Sequence, residues 1–222
     1  AAFDAIYVHW GGSHFALDLL RRGIIDNIDA LRNPFGAFFR KSGIPKPHNG
    51  FTSLARLEYA AAKLGFRTET NFPGYPRLSE PVLGGAAGTL TIGYPSQYQV
   101  LWIYNPATTQ YRRLRGAAPE IDALNNTQVS ARNIVIVETT SRQIEGQYND
   151  VRVTGRGRVR MFHSGKEWSG FWEKAKEPPA APLTLKDELG NDMPLLPGNL
   201  WIEIVDAYTP VTWESASDGT SD

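Results

Sequence analysis

The spacing of apolar residues changes near residue 89, and this change constrains the fold more than any other feature of the sequence. Before it, residues 13–23 and 53–65 place apolar side chains on one face at helical spacing. After it, residues 89–94 and 97–104 alternate apolar and polar side chains, as strands with one buried face do. The sequence therefore predicts an α+β protein, in which a truncated α/β first domain precedes a mostly antiparallel, β-rich second domain.

A segment rich in proline and glycine separates the two patterns and predicts the domain boundary. Residues 71–88 lose all regular alternation, which is typical of a linker. We therefore expect residues 1–88 to form the first domain, ending in this linker, and residues 89–210 to form the β-rich domain. Residues 211–222 end in small, polar and acidic side chains and predict a mobile tail.

Individual elements follow from the same patterns. In the first domain we expect strands at 3–9 and 37–40, with residues 24–31 as a short helical turn or a connector. The run 134–137 is apolar throughout and predicts a strand buried on both faces. The other strands predicted in the second domain are 89–94, 97–104, 111–115, 151–162, 166–173, 183–186, 193–195 and 200–205.

Charge and cysteine content exclude several classes of function. Lysine plus arginine (23) equals aspartate plus glutamate (23), so no net field recruits nucleic acid, and we expect no nucleic-acid partner. The absence of cysteine excludes disulfides, thiolate catalysis and thiolate metal sites. No apolar run reaches the ~20 residues of a membrane helix. Nothing in the sequence calls for a cofactor.

The turn after the first predicted strand is one candidate ligand site. Gly11 and Gly12 let the chain turn and Ser13 opens a helix, whose first N–H groups can hold a phosphate or a carboxylate. His14 would lie beside such a ligand. The structural alternative is that the glycines permit a tight turn and Ser13 only caps the helix. A serine nucleophile is not expected, since the sequence after Ser13 lacks the second glycine of a nucleophile elbow.

The loop of residues 41–50 is a second candidate. His48 can transfer a proton near neutral pH, and Asn49 can orient it or donate to an oxyanion. Alternatively, both side chains hydrogen-bond the loop backbone and fix the entry into the second helix. Arg40, at the end of the preceding predicted strand, is an expected anion partner in the same cleft.

A metal site built from histidines is a weaker hypothesis. His9, His14 and His48 supply three imidazoles, and Asp4 or Asp18 could add a carboxylate. No pair of these residues has the spacing that fixes two ligands on one face of a helix. We therefore predict no metal site.

Two features of the second domain permit a polymer-binding surface. Arg152, Arg156, Arg158 and Arg160 share one face of the predicted strand 151–162. This stripe could hold an acidic polymer, but the pattern favours a solvated face balanced by Glu167 and Glu173. Among the tryptophans, Trp168 and Trp213 are the ones freest to stack on a sugar.

Five segments carry a family resemblance through their order and spacing. They are FDAIYVHWGGS (3–13), PHNGFTS (47–53), YNPATTQYR (104–112), ARNIVIV (131–137) and PGNLWIEI (197–204). Together they resemble the DUF3048 family over nearly the whole chain, from residue 3 to about residue 205. Each segment alone is weakly diagnostic, but the combination is specific.

The resemblance implies where the protein is located in the cell, but it implies no catalytic reaction. Members of the family resemble bacterial envelope lipoproteins, which implies an extracytoplasmic protein anchored by a lipid on an N-terminal segment absent here. That segment would supply further strands to the first sheet. The family has no assigned reaction, so no catalytic role carries over. Relatives often have a hydrophobic residue where Gly50 stands, a departure that predicts a looser loop after His48 and Asn49.

Two functional hypotheses follow. The favoured one is a binding or structural module of the cell envelope, with a cleft near Gly11–Ser13 and His48 and a cell-wall polymer or an envelope protein as its partner. The alternative is a hydrolase or transferase acting on a phosphorylated or glycosidic envelope substrate. His48 would then be the acid/base, and Arg40 with the turn amides would hold an anion. The sequence assigns no oligomeric state.

Overall fold

The computed structural model describes residues 2–79, 82 and 84–216, and this part of the chain divides into two compact units. The first unit runs to Gly74 and also includes Lys174–Leu183. The second contains the described residues from Tyr75 to Glu173 and from Thr184 onwards. The first unit therefore ends inside the predicted linker, but the sequence prediction did not include the return of Lys174–Leu183 to it.

The first unit combines two helices with two pairs of short strands. The elements are β1 (Tyr7–His9), α1 (His14–Arg21), β2 (Asn27–Asp29), β3 (Phe39–Arg40), β4 (Gly50–Phe51) and α2 (Leu54–Leu64). Strand β1 is parallel to β2, and β3 is antiparallel to β4. A short 3-10 helix, Pro34–Gly36, lies between β2 and β3.

Both predicted helices are confirmed, together with their caps. The Ser13 side chain accepts a hydrogen bond from the backbone N–H of Ala16 at 3.2 Å, which satisfies one of the unpaired donors at the start of α1. Ser53 plays the same role in α2. Gly65 ends α2 with φ +72, a left-handed conformation that glycine adopts without a steric penalty.

The prediction for residues 24–31 was wrong. Asn27–Asp29 forms strand β2, parallel to β1, rather than a helical turn or a connector. Pairing overrides the weak local pattern, because backbone bonds from Tyr7 N–H to Asp26 O and from Ala30 N–H to His9 O join the two segments at 2.9 Å. Ile28, only 1% exposed, anchors β2 in the core of the unit.

The core of the first unit lies between one face of this sheet and α2. Ile28 and Ala30 pack there with Ala60 and Ala61, the two buried residues of the helix. Phe38, just before β3, completes the cluster. The small alanines let the helix approach the sheet closely, so the unit is held by a compact and largely aliphatic core.

Two sheets make up most of the second unit as described. The strands are β5 (Gly88–Ile92), β6 (Val100–Asn105), β7 (Gln110–Arg115), β8 (Ala118–Pro119), β9 (Ser130–Ala131), β10 (Asn133–Thr139), β11 (Ser141–Glu145), β12 (Tyr148–Val151), β13 (Gly155–His163), β14 (Lys166–Lys174), β15 (Thr184–Asp187), β16 (Leu200–Asp206) and β17 (Val211–Ser215). One sheet has the strand order β15-β14-β13-β10-β16, and the other has the order β17-β5-β6-β7-β8, with β9 added to β7. A separate hairpin pairs β11 with β12, and a short 3-10 helix, Ser96–Tyr98, precedes β6.

One apolar core joins these two sheets. Trp102 and Tyr111 enter it from the sheet of β6 and β7, while Ile134, Ile136 and Phe162 enter it from the sheet of β10 and β13. As predicted, β10 is buried on both faces over Ile134–Val137. The α+β class with a β-rich second part is confirmed. β16 is parallel to β10, whereas β10 and β13 are antiparallel.

Two strand predictions and the tail prediction in the second unit need correction. The predicted strand 151–162 is broken, because Gly155, with φ +104, begins β13 after a turn that leaves Val151 in the separate hairpin. Residues 193–195 form no strand; Leu195 makes an isolated bridge to Arg77. Residues 211–215, predicted as part of a mobile tail, form β17 against β5, since Trp213 packs on the core. Residues 217–222 of that tail lie outside the described residues.

Among the described residues, we find no helix with the length and apolar character that a membrane crossing requires.

A buried cation links the two sheets of the second unit. Arg113 of β7 is 4% exposed, and its guanidinium carbon lies 5.6 Å from the Trp102 ring and 5.0 Å from the Trp201 ring. Glu203 of β16 accepts a hydrogen bond from Arg113 at 3.3 Å and another from the indole N–H of Trp201 at 2.9 Å. Glu120 also contacts Arg113. A cation removed from water in this way depends on these partners.

Removing one member of this group should destabilise the second unit strongly. We expect Arg113→Met to lower the free energy of unfolding by about 3–5 kcal/mol, because the carboxylate of Glu203, whose side chain is 13% exposed, then loses its counter-charge. Arg142→Met is the matched control, since its pair with Asp150 is 77% and 54% exposed and should contribute less than about 1 kcal/mol. Urea unfolding followed by circular dichroism measures both. Equal losses would contradict the assignment, as would a double variant with Glu203→Leu whose loss equals the sum of the single losses.

His163, at the end of β13, is a buried neutral side chain. It is 3% exposed, and its Nδ1 atom has no hydrogen-bond partner among the described residues. Burial lowers the pKa of His163 from 6.5 to about 4, because the charged ring would lose its hydration.

The stability of the protein should therefore depend on pH through His163. Between pH 6.5 and about 4 the unfolded chain takes up a proton at this ring and the folded chain does not. Above pH 6.5 this ring does not reduce the free energy of unfolding. As the pH falls from 6.5 to about 4, the free energy of unfolding decreases by roughly 3 kcal/mol in total. Unfolding free energies measured from pH 7.5 to 4 should show this slope reduced in His163→Phe and retained in His48→Gln, whose histidine is exposed. An unchanged slope in His163→Phe would refute the assignment.

Candidate functional site

The turn after β1 has the geometry of a helix start. Gly11 adopts φ +77, a conformation that suits glycine, and the Ser13 hydroxyl oxygen accepts from Ala16 N–H. The carbonyl of Gly11 lies 3.1 Å from Nδ1 of His9. His14 is exposed, and its ring lies against Phe15 with the two centroids 3.9 Å apart. Within this turn, therefore, the described hydrogen bonds of Ser13 and Gly11 serve the local fold.

Arg40 and Asn49, by contrast, form a positioned polar pair. Nη1 of Arg40 donates to Oδ1 of Asn49 at 2.5 Å, and Asn49 is only 8% exposed. The backbone carbonyl of Asn49 accepts from Lys41 N–H at 2.9 Å, which fixes the loop. The guanidinium carbon of Arg40 lies 4.6 Å from the centroid of the Trp10 ring. An exposed cation is thus held on two sides, by an amide and by an aromatic face.

Gly50 makes room for this arrangement. A Cβ atom at this position would lie closer than 3.0 Å to three ring atoms of Trp10. Gly50 belongs to β4, where it pairs with Arg40 of β3. The prediction that Gly50 loosens the loop was therefore wrong, because the indole ring of Trp10 occupies the space that a side chain at position 50 would need.

A cavity of about 360 Å³ opens beside the Arg40–Trp10 pair. Asn33 helps to shape its wall: its side chain accepts from Phe38 N–H at 2.8 Å and donates to Phe38 O at 3.2 Å. The lining combines aromatic and aliphatic side chains with the polar side chains of Arg40 and Asn33. The lining residues are Trp10, Ala30, Leu31, Asn33, Phe38, Phe39 and Arg40.

The structure does not bring His48 into this group. His48 is exposed, and its backbone N–H donates to Pro45 O at 3.1 Å. Its side chain makes no hydrogen bond or ion pair with any other described residue. Of the residues predicted from the loop and the strand before it, Arg40 and Asn49 are joined, and His48 stands apart from them.

The remaining candidates take structural positions. No three histidine, aspartate or glutamate side chains in the described part of the chain are grouped as a metal site. In the arginine stripe, Arg156 pairs with Glu173 and Arg160 with Glu167, as a balanced surface would. The expectation that Trp213 is free was wrong, because its ring packs against the core of the second unit. Trp168 is 44% exposed and stacks on His163.

Sequence reasoning missed the part played by Trp10. Alternation along the predicted strand places the Trp10 side chain on the face opposite His9, but nothing local predicts that residues of β3 and β4 lie against it. The available signal was the position of this large aromatic residue at a strand end, beside the two turn glycines.

Fold and site together define a class: a two-unit α+β protein whose first unit carries an exposed, positioned arginine beside a cavity. Residues 1–67 match the family model described as the N-terminal domain of "Protein of unknown function (DUF3048)", and residues 90–202 match its C-terminal domain. The chain belongs to the DUF3048 family.

Two comparisons extend this assignment. The Bacillus subtilis (strain 168) protein named "Putative lipoprotein YerB" is 27% identical over 209 residues, which cover 91% of this chain and 61% of that protein. The crystal structure of the YerB protein from Bacillus subtilis superposes with a TM-score of 0.80 at 22% identity, covering 95% of this chain and 71% of that one. The chain thus shares the fold and spans less than two thirds of the curated relative's length.

The packing of Trp10 on Gly50 can be tested directly. We expect Gly50→Ala to cost about 1–3 kcal/mol in unfolding free energy, since the added methyl group collides with the indole ring. The same change in a Trp10→Ala background should cost much less. Gly12→Ala serves as the control, because its Cβ would lie 3.6 Å from Leu17, an ordinary contact. Urea unfolding of the four variants decides the matter, and an equal cost of Gly50→Ala in both backgrounds would rule this packing out.

Proposed function

We propose that the protein is an extracytoplasmic, envelope-associated binding module that holds an anionic cell-wall polymer at Trp10, Arg40 and Asn49. The name of the Bacillus subtilis relative, "Putative lipoprotein YerB", supports the location, since a lipoprotein is anchored to a membrane by its lipid. In its full-length form this protein would be anchored in the same way, by an N-terminal lipid.

The position of Arg40 carries the proposal. One of its nitrogens is used by Asn49, and the other donors of the fork stay available to an oxygen-rich anion. Because Asn49 and Trp10 restrict the side chain, less conformational entropy is lost when a ligand binds. Guanidinium groups match phosphate and carboxylate geometry, and both anions occur in wall polymers.

Trp10 adds the second half of a polymer site. Its ring is 40% exposed and lines the cavity beside Arg40. The apolar face of an indole can pack on the C–H groups of a sugar ring while the arginine holds a neighbouring anion. Alternating sugars and anionic groups along a polymer chain would satisfy both contacts at once.

Co-sedimentation with purified cell walls tests this function. We expect the protein to sediment with walls that keep their anionic polymers and to lose most of this binding when those polymers are removed. Arg40→Gln and Trp10→Ala should each weaken binding about tenfold or more, since each removes a central contact.

Two exposed residues of the second unit provide matched controls. Arg142→Gln and Tyr208→Ala remove a guanidinium group and an aromatic ring elsewhere on the surface and should leave sedimentation unchanged. Circular dichroism of all four variants checks that each is folded. Equal binding by Arg40→Gln and Arg142→Gln would eliminate the proposed site.

A hydrolase or transferase remains the alternative prediction. It requires an acid/base held in a fixed orientation near an anion. The side chain of His48 is exposed, and none of its described neighbours orients the ring by a hydrogen bond. The arrangement of the described residues therefore favours binding over catalysis.

A further inference from the structure

A second cavity, also of about 360 Å³, lies in the first unit beside α1. Its floor is the polar face of the β1–β2 sheet, where the register pairs Tyr7 with Asn27 and His9 with Asp29. His9, Asn27 and Asp29 all line the cavity. Strand alternation puts Trp10 on the opposite face, so this cavity is separate from the proposed polymer site.

The floor of the cavity is rigidly organised. Asn27 donates through Nδ2 to Leu20 O at 3.1 Å and to Ile25 O at 3.2 Å, which directs its Oδ1 toward His9. Nε2 of His9 lies 3.2 Å from that oxygen, and its Nδ1 lies 3.1 Å from Gly11 O. Asp29 accepts from the backbone N–H of Leu31 at 2.8 Å. These side chains would change little when a ligand enters.

Two cations at the cavity wall have no partner in the described part of the chain. Arg21, in the last turn of α1, and Arg32, after β2, both line the cavity and are exposed. Neither guanidinium makes a hydrogen bond or an ion pair with another described residue. The carboxylate of Asp29 also lines the cavity and offsets one of these two positive charges. The wall therefore carries an excess of positive charge. Such a wall attracts an anion.

The remaining walls are apolar. Leu17 and Leu20 face the cavity from α1, and Leu64 and Phe66 face it from the end of α2. No residue of α1 is fully buried, and residues of this helix line the cavity together with the polar side chains of β1 and β2. Apolar walls around a few fixed polar groups are typical of a small-molecule site, and ligand sites begin at about 300 Å³.

We propose that this cavity binds a small organic anion, a single carboxylate or phosphate group attached to an apolar body. Arg21 and Arg32 hold the anionic group, and the leucines and Phe66 contact the apolar body. A short alkyl chain suits a cavity near the lower end of the usual size range. The site is independent of the polymer site on the other face of β1.

Calorimetric titration with four probes tests the ligand chemistry. We expect octanoate and octyl phosphate to bind saturably with one site per chain. Acetate lacks the apolar body and 1-octanol lacks the charge, so each should bind at least about tenfold more weakly. A difference between octanoate and octyl phosphate identifies the preferred anion. Binding of 1-octanol as tight as that of octanoate, or no saturable binding of either anion, would overturn the proposal.

Neighbouring arginines supply the matched variants. Arg21→Gln and Arg32→Gln should each lower the affinity for the preferred anion about tenfold, since each removes a charge-assisted hydrogen bond. Arg22→Gln is the control, because Arg22 pairs with Asp18 and does not line the cavity. Trp10→Ala should also leave the affinity unchanged, which separates this site from the polymer site. Unaltered affinity in the double variant Arg21→Gln/Arg32→Gln would refute the assignment.

Discussion

The buried guanidinium of Arg113 is the interaction on which the second unit depends. It extends from one sheet toward Glu203 on an edge strand of the other and lies near the rings of Trp102 and Trp201. The parallel register of β16 with β10 sets Glu203 opposite Ile136. A slip of one residue would turn this carboxylate to the other face, and the buried cation would lose one of its two carboxylate partners, Glu203 and Glu120. The ion pair therefore specifies which faces meet and in which register, beyond what apolar packing demands.

Local signals predicted the helices well and the short strands poorly. Ser53 and Gly65 each act within one turn of chain, so a single sequence displays both ends of α2. β2 has three residues with polar side chains on one face, and only its pairing with β1 makes it a strand. In the same way β17 depends on β5, and no local pattern could reveal that partner. Sequence periodicity does not suffice to predict a strand that forms only because it pairs with a segment distant in the sequence.

The candidate site likewise contains one contact that the sequence predicted and one that it could not predict. Arg40 and Asn49 lie close in the sequence, and the sequence predicted them in one cleft; a two-strand ladder brings them together. Trp10 comes from another part of the chain, so its contact with Gly50 was beyond prediction. Gly50, interpreted as a departure that loosens a loop, instead accommodates an aromatic ring. A glycine can thus indicate the close approach of another side chain as well as a flexible loop.

The return of Lys174–Leu183 to the first unit has a consequence for biosynthesis. These residues lie about a hundred positions after the rest of that unit, and the backbone N–H of Leu183 donates to Ala2 O at 3.4 Å. During translation, residues up to Gly74 leave the ribosome long before their last segment exists. The first unit therefore stays incomplete until most of the second unit has been synthesised. An expression fragment cut at the end of the N-terminal family match, residue 67, would lack that segment altogether.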